Sequence, residues 1–532
     1  MDMKRRQFLQ IGAVAFGAGV LPGLNGLARA QASGGVLKFV PQADLAVIDP
    51  HGSPAYVTRN HASLVFDTLY GVDGNNVPQP QMVEGHVVSE DGKVWTMTLR
   101  EGLMFHDGSP VQARDAVASV KRWAKRDGFA QALTAALEDL SAPDERTIVF
   151  RLSRPLPILP DMLGKMAAYW PAILPERLAL TDPFQPLSEI IGSGPYRYVG
   201  AERIPGALNV YERFEGYVPR PEPADNLAGG KVAHFDRVEW HTMPDPATAA
   251  AALLAGEVDW WEQPTADLAP IFEGTDVTVA SKDPGGNIGI LRMNFRQKPF
   301  DNPAIRRVVL KAVNQRDYML AAVGEDTRLW SVPQGYFHPK SMLASTEGLE
   351  TFTAEKDFAA LKAELIAAGY QGERIVLLST ADYPVINAFG EVCADMMRRI
   401  GMNVDLVVQD WATIAQRMAN KESLDQGGYS AYCNFVAGAG TFNTAAHTFL
   451  RSNGDGAYYG WPDIPEIEAL RAAWLDAATP AEQAEIGRKI QEIALDQVPF
   501  VPLGLFYFPT AFRSDLEGML DTYPVFWNIR RS

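Results

Sequence analysis

The 532-residue sequence is short of the residue types that usually carry chemistry. It has 2 cysteines, Cys393 and Cys433, and 8 histidines. So few cysteines exclude a disulfide framework, and their wide separation excludes a C-x-x-C redox or zinc pair. Whether the two can pair depends on whether the fold brings their Cα atoms within bridging reach. The histidines are scattered. His51 and His61 are not a helical i,i+4 pair, no H-E-x-x-H or Walker loop occurs, and neither a metal nor a cofactor is expected. A basic excess is missing too: 48 Lys and Arg face 64 Asp and Glu, for a formal charge of −16. That balance excludes a nucleic-acid footprint. No internal repeat or low-complexity tract is present. With 47% hydrophobic and 21% charged residues, disorder is excluded as well. Beyond the first thirty residues, no apolar run is long enough to cross a bilayer.

What is present begins with a leader. Lys4, Arg5 and Arg6 form a basic head, followed by an uncharged Gly- and Ala-rich stretch over residues 7–28. Ala28-Arg29-Ala30 is a small-residue cleavage pattern, with Ala30-Gln31-Ala32 as a competitor. Arg5-Arg6-Gln7-Phe8-Leu9 resembles a twin-arginine export signal, with Arg5 and Arg6 as its recognised pair. A Sec signal with a chance arginine pair is the alternative. An uncleaved anchor is disfavoured because Pro22 and Asn25 break the apolar run. Residues 1–30 are therefore expected to be a signal peptide and the protein to be periplasmic.

The remaining length predicts two or three lobes. Residues 36–40 read as a strand, and Ile48-Asp49-Pro50 as a turn. Trp95, Met97 and Leu99 alternate with polar positions in strand period. Phe105-His106-Asp107-Gly108 is a tight turn. Ala113, Ala116, Val117, Val120 and Trp123 share one helix face. Gln112 is a poor helix cap, so Ser109 or Asp115 must serve that start. Asp107 beside His106 has a catalytic look, but turn chemistry explains both better. In Ile191-Gly192-Ser193-Gly194-Pro195-Tyr196, Ser193 is not a nucleophile elbow. Its glycines are expected to supply positive φ for a sharp bend. Farther on, helix and strand patterns alternate through residues 361–408, and the fold class is α/β.

The order of these pieces, "LREGLMFHDGSP" before a helix, then "IGSGPYRY", "AGEVDWW" and "LRMNFRQKPFDNPAIRRVVLKAVNQRDYML", resembles the family 5 extracellular solute-binding proteins. These are the dipeptide- and oligopeptide-binding receptors of bacterial ABC importers. The resemblance covers essentially the whole mature chain. It implies a type II-like periplasmic binding fold, with two α/β lobes on a hinge plus an inserted lobe. The lobes expected are residues 34–60 with 196–284 and 509–532, then 61–195 (inserted), then 285–508. The implied partners are a short-peptide or other small-molecule ligand and a membrane permease with its ATPase. A monomer without enzymatic activity is expected.

The resemblance also implies ligand positions at Ser53, Tyr56, Thr58, Asn294, Trp411, Tyr432, Cys433 and Phe435. Taken alone, a surface loop explains the 53–58 segment equally well, and a core role explains any single ring among Trp411, Tyr432 and Phe435 better. One departure stands out. Peptide-binding members carry an Asp that pairs with the ligand's amino group on the strand matching residues 430–435, and that position falls here on Phe435. No carboxylate lies between Asp425 and Asp455. A buried ammonium needs a paired charge, so a non-peptide ligand such as an opine or chelate is the alternative. An exported hydrolase using Asp107 or Asp455 is a distant third, since no motif supports converging carboxylates.

Overall fold

The structure is a computed structural model that describes residues 34–532 except 168, 266 and 478. The export signal with Arg5 and Arg6 lies outside the described residues. Three sheets of more than two strands organise the rest. A seven-stranded mixed sheet runs in the order Val277–Ala280, Thr510–Arg513, Trp260–Trp261, Val36–Val40, Arg237–His241, Leu208–Arg213, Tyr196–Tyr198. A six-stranded sheet runs Trp330–Ser331, Val501–Phe506, Asn287–Met293, Ala431–Ala437, Arg374–Thr380, Asn403–Gln409. A four-stranded antiparallel sheet runs Val83–Val88, Val94–Leu99, Thr147–Leu152, Leu137–Ser141.

Two stretches of chain connect the first two sheets. One is 281–286, between Val277–Ala280 and Asn287–Met293. The other is 507–509, between Val501–Phe506 and Thr510–Arg513. Asn287–Met293 is buried at every residue, as a strand packed on both faces must be. The antiparallel pairing of Asn287–Met293 with Val501–Phe506 breaks register at Gly289. A Cβ on Gly289 would sit 2.9 Å from the Phe389 ring, so the side chain is absent because an aromatic ring fills its place.

Helix Ala113–Trp123 buries Ala113, Ala116, Val120 and Trp123 against the four-stranded sheet, with Trp95, Met97 and Leu99 on the facing strand. Asp115 serves its start: the Gln112 N–H donates to Asp115 Oδ2 at 2.7 Å. Helix Pro303–Ala312 is capped by Asn302, whose Oδ1 accepts the Ala304 N–H at 2.9 Å. Its Ile305, Val308, Val309 and Ala312 form the buried stripe, continued by Val313. Gly256, Gly369 and Gly401 end helices at φ of 71°, 99° and 91°, a backbone glycine adopts at little cost.

One expectation is corrected here. Gly192 and Gly194 do not have positive φ. They are glycines because a Cβ would lie 2.0 Å from Val65 O and 2.6 Å from Leu64 O. The segment passes directly across the end of helix Tyr56–Val65. The His106 ring fixes it there: Nδ1 accepts the Gly192 N–H at 3.3 Å, and Nε2 donates to Gly194 O at 3.0 Å. Burial pushes the His106 pKa down to about 4, which suits a neutral ring in that role. Asp107 meanwhile caps its own turn through Ser109 and pairs with Arg177. Both residues of the catalytic-looking pair are thereby structurally engaged.

Candidate functional site

The two connecting stretches enclose a cavity of about 60 Å³. The seven-stranded sheet side contributes Gln42, Trp260, Glu262 and Thr510. Asp283, Gly286, Asn287, Ala437 and Phe508 come from the connections and the six-stranded sheet side. Helix Tyr56–Val65 contributes Tyr56 and Arg59 from its first turn, and Tyr523 closes the wall. The cavity thus combines rings with a small number of charged groups, as small-ligand sites generally do.

Glu262 is buried, 5% exposed, and its Oε2 accepts the Gln42 N–H at 2.7 Å. Its Oε1 accepts the Asn60 amide at 2.9 Å. Burial pushes its pKa up to about 7, against the stabilising pull of Gln42, Arg59 and Asn60. Asp283 accepts the Gly285 N–H at 2.9 Å; desolvation raises its pKa, and Arg59 opposes that rise. The Trp260 indole donates to Thr510 Oγ1 at 2.6 Å, and that hydroxyl donates on to Trp261 O at 2.9 Å. This pair ties the second connection to the floor of the cavity.

Of the residues expected from sequence, Tyr56 lines the cavity. Its hydroxyl accepts the Ala437 N–H at 2.7 Å, and burial raises the phenol pKa. Ser53 accepts the Ala55 N–H in the loop before the helix. Thr58 is buried and donates to Val47 O at 2.8 Å. Asn294 is buried and holds Tyr429 O at 2.9 Å. Tyr432 is buried and donates to Tyr459 O at 3.1 Å. Cys433 lies in the core with Cys393, and both are free thiols. Phe435 packs edge-on against Phe506 and Phe508 at 5.6 and 5.7 Å. Trp411 opens helix Trp411–Met418 with its ring 5.4 Å from Tyr383. The Tyr383 phenol is raised by burial first, then by the charges of Asp382 and Glu262, and neither ring of this pair lines the cavity.

Arg59, Glu262 and Asp283 are not singled out by sequence patterns. Arg59 sits on a helix whose cleft-facing residues read as Tyr56 and Thr58. Glu262 lies just past the "AGEVDWW" motif, and Asp283 stands before a Pro-Gly-Gly turn between motifs. No spacing rule joins Arg59 to Glu262 and Asp283, which lie more than two hundred positions farther along the chain.

Strand Ala431–Ala437 pairs with Asn287–Met293 along its whole length. On its other side it pairs with Arg374–Thr380 only at Ala431 and Tyr432. Two amides past that point are held by side chains: Phe435 N–H donates to Asn434 Oδ1 at 2.8 Å, and Ala437 N–H to Tyr56.

This architecture is that of the type II-like periplasmic binding proteins. The family model for bacterial extracellular solute-binding proteins, family 5 (middle), matches residues 77–460, and the chain belongs to this family. It is 37% identical over 545 residues to a probable peptide ABC transporter periplasmic-binding protein, y4tO, of Sinorhizobium fredii, with 100% of both chains covered. Among solved structures, the binding protein AgaA in complex with agropinic acid, from A. tumefaciens R10, is similar at TM-score 0.77 and 22% identity, over 94% of this chain and 99% of that one. A dipeptide-binding protein from Pseudoalteromonas sp. SM9913 in complex with Met-Leu is similar at TM-score 0.78 and 19% identity, over 93% and 100%. At those identities the two structures speak for the fold. Among the described residues, no helix is long and apolar enough to cross a membrane.

Proposed function

We propose that this chain is the periplasmic solute-binding component of an ABC importer, which captures a small organic solute by hinge closure and presents the closed form to a membrane permease. The observation that carries this reading is the cavity at the two crossings, 281–286 and 507–509, lined from both sheets. Two connections at one edge let the sheets move about a hinge, and a ligand bound between them favours the closed state. We take the lobes as residues 34–60 with 196–284 and 509–532, then 61–195, then 285–508. The protein acts as a monomer, without catalysis. It is exported by the twin-arginine signal at Arg5 and Arg6, with cleavage near Ala30 or Ala32.

The relative from Sinorhizobium fredii carries a peptide-transport name, and a short peptide is the first ligand class to test. A second reading, a non-peptide solute, is favoured by one observation. A peptide laid along Ala431–Ala437 would seek the Phe435 and Ala437 amides, and both are already bonded to side chains. No carboxylate on that strand replaces the usual partner of an amino group.

Mass spectrometry of solute released from the purified protein by mild denaturation tests the reading. A mixture of short peptides supports the peptide class, and a single organic acid, opine or chelate supports the second. If no solute is released and a broad thermal-shift screen finds no stabilising compound, the receptor reading fails, because a ligand at about 100 times Kd should stabilise the fold by roughly 2.7 kcal/mol.

A further inference from the structure

Four arginines are buried among the described residues: Arg59, Arg122, Arg292 and Arg306. Three of them are matched by their surroundings. Arg122 pairs with Asp49 at 2.8 Å. Arg292 donates to the carbonyls of Tyr458, Tyr459, Phe449 and Pro499. Arg306 donates to the carbonyls of Phe300, Asp301 and Gln497. Arg59, 6% exposed, has none of this. Its Nε and Nη2 share one acceptor, Asn60 Oδ1, at 3.3 and 3.1 Å. Among the described residues, its Nη1 has no hydrogen-bond partner, and no carboxylate lies within ion-pair distance of it.

The guanidinium is nonetheless held in place. Its carbon lies 3.7 Å from the centre of the Tyr523 ring and 4.9 Å from that of Tyr56. The rings support the guanidinium plane, and the free N–H groups lie at its edge, on a residue that lines the cavity. A buried cation left this way is costly unless a partner arrives. The nearby carboxylates, Glu262 and Asp283, are already engaged by Gln42, Asn60 and Gly285. The other cation of the wall, Lys282, pairs with Asp521 at 3.0 Å. Arg59 acts on Glu262 and Asp283 across the cavity but hydrogen-bonds to neither.

Resting on the receptor reading above, the geometry points to Arg59 as the residue that receives a carboxylate of the transported solute. A planar guanidinium offering a free edge matches a carboxylate with two parallel N–H···O bonds, which a lysine cannot reproduce. The substrate class is a carboxylate-bearing small solute that enters the cavity acid end first, toward the crossings. Tyr56 and Tyr523 act as positioning residues that orient the guanidinium.

The test uses the full, solute-free chain and defined probes. Arginine Nε–H NMR signals are followed during titration with propionate and succinate, with propionamide and succinamide as uncharged counterparts and sulfate as an inorganic anion. The Arg59 signal is assigned by contacts to the Tyr523 ring and by its loss in Arg59→Gln. The two acids should move that signal in the millimolar range. The amides should not, and sulfate should act at least tenfold more weakly. Equal effects of acids and amides, or no effect of either, would make Arg59 a purely structural cation. Sulfate acting as strongly as the acids would define an unselective anion site and overturn the carboxylate assignment. Solute retention separates this from the receptor reading itself. The wild-type chain should release a carboxylate-bearing solute, with occupancy reduced at least tenfold in Arg59→Gln and partly restored in Arg59→Lys. Undiminished solute in Arg59→Gln would leave the receptor standing and remove this role.

Discussion

Tyr56 and Ala437 lie 381 residues apart in sequence, yet the Ala437 amide donates to the Tyr56 hydroxyl at 2.7 Å. Tyr56 stands on the first turn of the helix that follows the first strand of the seven-stranded sheet. Ala437 ends a strand of the six-stranded sheet. This bond joins the helix to the six-stranded sheet beside the cavity. Tyr56→Phe keeps the ring and removes the acceptor, leaving an N–H without its partner at a cost of about 1–3 kcal/mol. A lower melting temperature and a larger radius of gyration by small-angle scattering are expected in the solute-free variant. An unchanged radius would show that the bond does not hold the helix and that sheet together.

Glu262 links stability to pH. Its carboxyl is pushed up to about 7 by burial, against an ordinary value of 4.5. Between those values the folded protein keeps a proton that the unfolded chain has released. Stability from this group is therefore fully present below about pH 4.5 and is lost as pH rises toward 7. The shift corresponds to roughly 3 kcal/mol. Glu262→Gln should flatten the fall in melting temperature between pH 5 and 7. A parallel fall in both proteins would assign that slope to other groups.

Lys231 and Asp67 form an ion pair of 2.8 Å with both side chains 1% exposed, and Tyr217 donates to the second Asp67 oxygen at 2.9 Å. Removing one partner strands a buried charge. Lys231→Met should destabilise by about 3–5 kcal/mol in chemical denaturation, and adding Asp67→Asn should recover part of that loss. A loss under 1 kcal/mol would mean that water reaches Asp67.

Gly192→Ala tests the close approach at the IGSGPY segment. The new methyl would lie 2.0 Å from Val65 O, so the chain must shift, at a cost of roughly 1–3 kcal/mol. Thermal denaturation reads it directly. Full stability would mean that helix Tyr56–Val65 and this segment separate easily.

Much of the fold is written locally along the chain. The period-two run at Trp95, Met97 and Leu99 and the helical stripe at Ile305, Val308, Val309 and Ala312 declare themselves because burial of one face imposes its period on the sequence. Caps at Asn302 and stops at Gly256, Gly369 and Gly401 are equally local, since one residue's backbone freedom or side-chain oxygen settles them. The order of these local pieces carries the family and the α/β class.

The sequence by itself determined the elements and the class, and it picked out Tyr56, which lines the cavity. Only the tertiary structure decided that Gly192 and Gly194 answer to a neighbouring carbonyl rather than to φ, since that carbonyl lies far away along the chain. It also decided that Thr58, Asn294 and Tyr432 are buried hydrogen-bonding residues, and that Cys393 and Cys433 remain thiols. Above all, it set Arg59, Glu262 and Asp283 around one cavity. A charge's meaning depends on what surrounds it in space, and no local pattern records that Arg122, Arg292 and Arg306 find partners while Arg59 is left with an open edge.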